Sequence, residues 1–146
     1  MLANIYQTDS GKDFMQGEEA SATIVNFCNY SFGSVNPKVV FTAAILLFNH
    51  ILCFKRDKSL LNELFEKALV TISEKFADEK LVDPEALSGL LLCECRIVYK
   101  NKHAVEFVKN KLEPQFRKNH QNLKTRSPAQ GIKEAVNDVI LMIFDD

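Results

Sequence analysis

The chain has 146 residues, the length of one ordinary domain, and a chain of that length can bury an adequate hydrophobic core. Apolar residues make up 47% and charged residues 25%, a globular composition that argues against wholesale disorder. The net charge of −1 hides an asymmetry, because residues 96–133 contain ten basic and two acidic residues and therefore carry a net charge of +8. A positive field of this kind favours an acidic partner, either a nucleic acid or an acidic peptide.

The four cysteines lack the paired spacing of a structural zinc site. Cys93 and Cys95 are two residues apart in an apolar helical run, so they point about 200° apart and cannot share a metal ion. Unpaired thiols in apolar surroundings indicate a reducing compartment. The N-terminus lacks the pattern of a signal peptide, and the longest apolar run, Val39–Phe48, is too short to span a bilayer. We therefore expect a soluble intracellular protein.

Apolar residues recur at helical spacing nearly throughout the chain, and no strand pattern is present. Asn36-Pro37 and Asp83-Pro84 are strong helix-start signals, because Asn and Asp cap helices and Pro suits the first helical position. The predicted helices run from Pro37 to about Lys55, from about Ser59 to Phe76, from Pro84 to about Lys100, from about His103 to Lys111, and from a cap at Ser127-Pro128 to about Phe144.

The sequence repeats with a period of about 45 residues. Shifting it by 45 positions aligns ILLFNHILCFK (45–55) with LLLCECRIVYK (90–100), and VILMIF (139–144) falls in the same frame. In the other direction, LANIYQ (2–7) aligns with LFNHIL (47–52). A period of about 40–47 residues with two or three helices per unit is typical of armadillo and HEAT repeats. The sequence thus predicts an all-α, armadillo-like helical repeat, or α-solenoid.

The first repeat looks incomplete, since LANIYQ matches only the end of a helix. We therefore expect residues 1–146 to be the C-terminal part of a longer armadillo-like domain whose N-terminal repeats are missing. An interior repeat without its neighbour exposes an apolar face. This predicts a homodimer or a domain swap through the truncated face.

Catalytic chemistry has little support in the sequence. His50 lies one helical turn from Cys53, and Cys95 is a second candidate nucleophile, but a reactive thiolate needs an electropositive, exposed setting that these mid-helix positions lack. The three histidines have no metal-ligand spacing, the five glycines form no phosphate loop, and paired carboxylates such as Glu18-Glu19 and Asp145-Asp146 lie near turns or the terminus. We expect no catalytic residues, no metal, no cofactor and no enzyme activity.

A binding groove is the alternative that the repeat offers, because the last helix of each unit lines a concave surface. Arg96 and Lys100 share one helix face, and an Arg guanidinium can bind a carboxylate through two hydrogen bonds. Asn49 could hold an extended peptide backbone through its amide, which both donates and accepts. The predicted peptide-binding residues are Arg96, Lys100, Asn49, Lys38 and Arg56.

Three segments together resemble the C-terminal half of a PUL domain, as found in the phospholipase-activating protein and its fungal ubiquitin-fusion-degradation counterparts. They are the stretch from Asn36 through FNHILCFKRDK (36–58), EALSGLLLCECRIVYKNKHAVEFVKNKL (85–112) and SPAQGIKEAVNDVILMI (127–143). The helix ending in Asn49, Cys53 and Phe54 and the segment His103-Ala104-Val105 are similar to the family's. The resemblance covers roughly residues 2–146.

The resemblance implies an armadillo-like domain of a ubiquitin–proteasome pathway adaptor that binds the C-terminal tail of the valosin-containing AAA+ ATPase. That tail is acidic and ends in an aromatic residue, which suits a basic groove. Ubiquitin would bind only through regions outside this chain, and the expected location is cytoplasmic and nuclear. Arg96 and Lys100 are the residues carried over to the groove. One departure is Glu94, which would repel an acidic peptide if it faced the groove.

Two other interpretations remain open. A helical-repeat module could bind nucleic acid through the basic segment 96–133, although only Tyr99, Phe107 and Phe116 interleave with its charges as stacking platforms. The chain could also be an inert scaffold that binds neither ligand.

Overall fold

Residues 17–54, 58–127 and 129–145 are described by the computed structural model, and among them every regular element is helical. A 3-10 turn at Lys58–Leu61 precedes the third helix, and a π-helical turn at Val108–Leu112 continues the fifth. The prediction of an all-α fold is confirmed. The helices are α1 Glu18–Ser31, α2 Pro37–Cys53, α3 Asn62–Ala77, α4 Pro84–Val98, α5 Lys102–Phe107, α6 Gln115–Arg126 and α7 Gln130–Phe144.

The two predicted helix starts are confirmed in detail. The Asn36 side chain accepts a hydrogen bond from the Lys38 N–H at 3.0 Å, and the Asp83 side chain accepts one from the Ala86 N–H at 3.0 Å. In both cases proline occupies the first helical position, where its missing N–H costs nothing. Helices α2 and α4 therefore begin with the same local chemistry.

The helices form two layers. One layer is α2, α4 and α7, which pack side by side in that order, and the other is α1, α3 and α6. Helices α2 and α4 run parallel, because Ala44 lies against Gly89 while Ile51 and Arg96, further along each helix, line one pocket. This two-layer stack confirms the armadillo-like helical repeat.

The 45-residue frame is also visible at the helix ends. The Phe54 N–H donates to the His50 carbonyl and the Tyr99 N–H donates to the Cys95 carbonyl, and both aromatic residues leave their helices in an extended conformation. Phe144, the next position in this frame, is the last residue of α7. An aromatic residue therefore ends each helix of this layer.

Several elements differ from those predicted. Helices α1 and α6 have no counterpart among the predicted elements. Helix α6 was missed because Phe116 and Leu123 are its only apolar residues, and Asn119 and His120 complete its buried face. Helix α7 begins at Gln130 after Ala129, without the side-chain cap predicted at Ser127-Pro128. The predicted partial repeat at residues 2–7 lies outside the described residues.

Small residues allow α2 and α4 to approach closely. A Cβ atom added at Gly89 would lie 3.1 Å from the Ala44 Cβ and 3.4 Å from a ring carbon of Phe41. The Cys93 thiol donates to the Ala44 carbonyl at 2.8 Å across the same contact. The absence of a side chain at Gly89 thus sets the spacing between the two helices.

A buried ion pair joins the two layers. Glu94 of α4 and His120 of α6 are both fully buried, and the Glu94 Oε2 lies 2.7 Å from the His120 Nε2. The His120 ring stacks on Phe116 with centroids 4.0 Å apart and meets the Phe76 ring edge-on at 5.1 Å. Its position is therefore constrained from three sides.

The hydrogen bonds of His120 define where its protons are. The Nδ1 atom lies 2.8 Å from the Phe116 carbonyl, which can only accept, so Nδ1 carries a hydrogen. Burial alone disfavours the charged imidazolium, but the attraction of the Glu94 carboxylate and these hydrogen bonds raise the pKa of His120 above its usual 6.5. The contact with Glu94 therefore favours the charged imidazolium of His120.

Further polar contacts attach α6 to α3. The Arg126 guanidinium donates to the carbonyls of Leu81, Phe76 and Asp78 at 2.8, 3.1 and 3.3 Å, where α3 and its following loop leave carbonyls without helical partners. The Asn119 amide donates to the Ser73 carbonyl at 3.0 Å. These bonds explain how so polar a helix is held in the fold.

One side of the stack carries exposed apolar residues. Phe27 and Val39 are about half exposed and line a pocket of about 260 Å³ on the side of α2 that faces away from α4. Dimerisation or a domain swap through this face stays a prediction. Among the described residues, no helix has the length and apolar character needed to cross a membrane.

Replacing Gly89 with Leu should lower the free energy of unfolding by about 2 kcal/mol, because the new side chain overpacks the contact with Ala44 and Phe41. The control is Gly131→Ala in α7, where an added Cβ meets no atom within 4 Å and should raise stability by about 0.5 kcal/mol through helix propensity. Urea unfolding of both variants checks this. Equal stability of Gly89→Leu and wild type would contradict the close helix contact.

The two buried histidines should give a stability maximum near pH 6.5. The raised pKa of His120 contributes stability that is present below about 6.5 and lost as the pH rises through the folded value. Burial lowers the pKa of His50 to about 4, so its contribution is present above about 6.5 and lost as the pH falls towards 4. Urea unfolding between pH 4.5 and 8 measures both limbs.

Glu94→Gln is the matched variant for this pH dependence, because a neutral amide cannot hold His120 in its charged form. The variant should lose the decrease in stability between pH 6.5 and 8 and keep the decrease towards acid pH. An unchanged alkaline limb in Glu94→Gln would show that another group causes it.

Candidate peptide-binding site

A pocket of about 350 Å³ lies where α2 and α4 end and α3 and α5 begin. Apolar side chains form part of its wall, and basic and amide side chains surround them. Among the described residues that line it, none has an acidic side chain. The lining residues are Ile51, Ser59, Asn62, Phe65, Arg96, Ile97, Tyr99, Lys100, Asn101, Lys102 and His103.

A tight turn after α4 forms one edge of the pocket. The Asn101 N–H donates to the Val98 carbonyl at 3.2 Å, and Tyr99 has φ −63° and ψ 118°. Lys100 follows with a φ of 49°, in the left-handed region that is uncommon for residues other than glycine. These angles are those of a type II turn, which normally has Gly or Asn at this position. A lysine is thus held in an unfavourable backbone conformation at the pocket edge.

Two cations share the Tyr99 ring. The Arg96 guanidinium carbon lies 5.3 Å and the Lys100 ammonium 5.4 Å from the ring centroid, within the range of cation–π attraction. Tyr99 itself is 48% exposed. The Arg96 Nε is buried and has no hydrogen-bond partner among the described residues. The Arg96 and Lys100 cations therefore both lie against the Tyr99 ring at the pocket. The Arg96 Nε hydrogen has no acceptor among the described residues.

The other charged groups at the pocket are engaged differently. His103 Nε2 lies 2.6 Å from a carboxylate oxygen of Glu66, and Lys102 lies 3.9 Å from Glu106 in an exposed pair of the kind that contributes little. Neither Arg96 nor Lys100 forms an ion pair with a carboxylate of the described chain. These two cations are therefore available to an acidic ligand at the pocket.

The predicted site residues are only partly brought together. Arg96 and Lys100 line the same pocket. Asn49 is half-buried on α2 and points about 200° away from Ile51, outside the pocket lining. Lys38 is exposed in the first turn of α2, about 20 Å along the helix axis from Ile51, where it lines the pocket next to Phe27. Arg56 lies outside the described residues.

Two features of the site were not predicted. Tyr99 was expected to lie within a helix, but it follows the last residue of α4 and contacts both cations. The sequence pattern that could have indicated this contact is an aromatic residue with Arg three positions before it and Lys immediately after it. The possible conflict with Glu94 does not arise, because Glu94 is buried against His120 and faces away from the pocket.

Three of the four thiols and His50 are poorly suited to nucleophilic chemistry. Burial raises the pKa of Cys28 and of Cys95 to about 12 and that of Cys93 well above its usual value. Burial also lowers the pKa of His50 to about 4, so its imidazole is neutral at pH 7 and does not stabilise a thiolate. Within the described ranges, no group of three or more His, Cys, Asp or Glu side chains is placed to hold a metal ion.

Stacked helical repeats create extended concave surfaces that such folds use for binding. The family model of the PUL domain matches residues 1–138, so the chain belongs to the PUL domain family. PUL domains are protein-interaction domains and not a catalytic family. Comparisons with curated proteins and with solved structures gave no match.

Lys100→Gly should raise the free energy of unfolding by about 0.5–1 kcal/mol, because glycine adopts a positive φ without the steric cost that a side chain incurs. Lys102→Gly removes the same charge from a helical residue of α5 and should lower stability instead. Thermal and urea unfolding compare the two. A loss of stability in Lys100→Gly would contradict the turn conformation.

Proposed function

We propose that this chain is the protein-interaction domain of a ubiquitin–proteasome pathway adaptor that binds the acidic C-terminal tail of the valosin-containing AAA+ ATPase. The observation that carries the proposal is the pair of cations, Arg96 and Lys100, which lie beside Tyr99 at a pocket whose described lining residues include no acidic side chain. Membership of the PUL domain family supports the general role in protein binding. The cytoplasm and the nucleus are the proposed locations.

The chemistry of the pocket suits an acidic tail that ends in an aromatic residue. The Tyr99 side chain lines the pocket and is half exposed, so it offers a surface for a ring, and 350 Å³ lies at the lower end of the usual size of ligand pockets. A carboxylate of the tail would accept hydrogen bonds from the Arg96 guanidinium and contact the Lys100 ammonium. Long-range attraction from the basic stretch 96–133 would increase the association rate.

Nucleic-acid binding through residues 96–133 has less support. Arg126 donates to three backbone carbonyls, and Arg117 pairs with Glu113 and stacks on Phe144 at 3.9 Å, so part of the basic charge serves the fold. The remaining basic residues are spread over α4 to α7. Nucleic-acid binding is therefore the alternative result that the binding experiment below can give.

A fluorescent peptide with the sequence of the ATPase tail should bind the chain saturably and more weakly at high salt. Arg96→Ala should weaken binding by about tenfold or more, since a hydrogen bond to a charged group contributes about 1.5–3 kcal/mol. Lys100→Gly should also weaken it, although this variant is expected to be more stable than wild type. Fluorescence anisotropy measures the dissociation constants.

Lys111→Ala is the control, because it removes an exposed positive charge from the π-helical turn, which does not line the pocket. Lys38→Ala tests whether the distant end of α2 takes part in peptide binding.

A pull-down of the ATPase with and without its acidic tail tests binding of the whole partner. Unchanged binding in Arg96→Ala and Lys100→Gly would refute the site, and RNA retention with a steep salt dependence would favour the alternative function.

A further inference from the structure

The buried pair and the basic cluster are close neighbours on one helix. Glu94 lies two residues before Arg96, so their Cα atoms are about 3 Å apart along the axis of α4 and their side chains point to opposite sides. Glu94 reaches into the layer interface and bonds His120 of α6. Arg96 reaches towards Tyr99 at the pocket. Any rotation of α4 that moves one side chain must move the other.

Most of the packing around α4 is apolar. Leu90, Leu91 and Ile97 are fully buried, but contacts between such side chains are non-directional. The contact of Gly89 with Ala44 fixes the spacing from α2 nearer the start of the helix, and the Cys93 thiol, next to Glu94, donates to the Ala44 carbonyl. The Glu94–His120 bond is directional, and leaving either group buried without it carries a large free-energy cost.

The histidine is itself held in place. Its Nδ1 donates to the Phe116 carbonyl, its ring stacks on Phe116, and the Phe76 ring of α3 lies against its edge. The adjacent Asn119 donates to the Ser73 carbonyl of α3. Glu94, one turn before α4 ends, is thus bonded to His120, a residue whose position in the α1, α3 and α6 layer is itself constrained.

We propose that Glu94 and His120 are positioning residues for the peptide site: their bond fixes the rotation of the last turn of α4, so that Arg96, Tyr99 and Lys100 meet at the pocket. This inference rests on the proposed function for its binding readout. It assigns no ligand contact to either residue.

The test separates positioning from stability. In the double variant Glu94→Met, His120→Leu, apolar side chains replace the whole pair, a change that often leaves stability equal or higher. We expect the variant to fold, to lose about fivefold or more in affinity for the acidic peptide, and to show altered ring resonances of Tyr99 in NMR spectra. Affinity and Tyr99 resonances equal to those of wild type in a folded double variant would overturn the proposal.

Glu94→Gln is the conservative rescue. A glutamine amide can donate to the unprotonated Nε2 of a neutral His120, so the directional bond survives without the charges. We expect its affinity for the peptide to stay within about twofold of that of wild type. Its Tyr99 resonances should differ from those of wild type by less than a linewidth. If Glu94→Gln behaves like the apolar double variant, the directional hydrogen bond between residues 94 and 120 does not position α4, and the proposal is contradicted.

Glu94→Asp covers the case in which the double variant does not fold. It keeps the charge but shortens the side chain by one methylene, so it should strain or break the bond and lower the affinity. Unchanged affinity would again refute the proposal. If wild type itself fails to bind the peptide, the proposed function is wrong, and the Tyr99 resonances of the free variants still test whether the pair positions the helix end.

Discussion

The buried contact between Glu94 and His120 connects the two layers of this fold. Its two side chains are fully buried and 2.7 Å apart, and each would be costly to bury alone. The carboxylate comes from α4, at the centre of one layer, and the imidazole from α6, which has only two apolar residues to attach it. Packing of α6, the orientation of α4 and the geometry of the pocket all depend on this contact.

An aromatic residue ends each helix of the α2, α4 and α7 layer. Its role differs from one repeat to the next. Phe54 is buried and its ring lies 5.7 Å from that of His50, so it serves the core. Tyr99 is half exposed and holds Arg96 and Lys100. Phe144 packs against Phe116 and carries the Arg117 guanidinium on its face. The same local geometry thus supports the core in one repeat and a basic surface in the next.

Part of the basic charge serves the fold. Of the ten basic residues between 96 and 133, Arg126 binds backbone carbonyls and Arg117 pairs with Glu113, whereas Arg96 and Lys100 have no carboxylate partner among the described residues. Lys100 also occupies a backbone conformation that glycine would adopt at lower cost. A charge kept at an unfavourable position, next to an uncommitted guanidinium, is the arrangement on which the proposed peptide site rests.

The sequence by itself determined the helical class, the 45-residue repeat and the caps at Asn36 and Asp83, because these depend on local spacing and on hydrogen bonds within a few residues. It also pointed to Arg96 and Lys100, which are one helical turn apart. Only the tertiary structure decided that Asn49 and Lys38 lie outside the pocket, that Glu94 faces His120, and that Arg126 serves the fold. The roles of Glu94 and Arg126 depend on contacts between residues 26 to 50 positions apart, which no local pattern encodes.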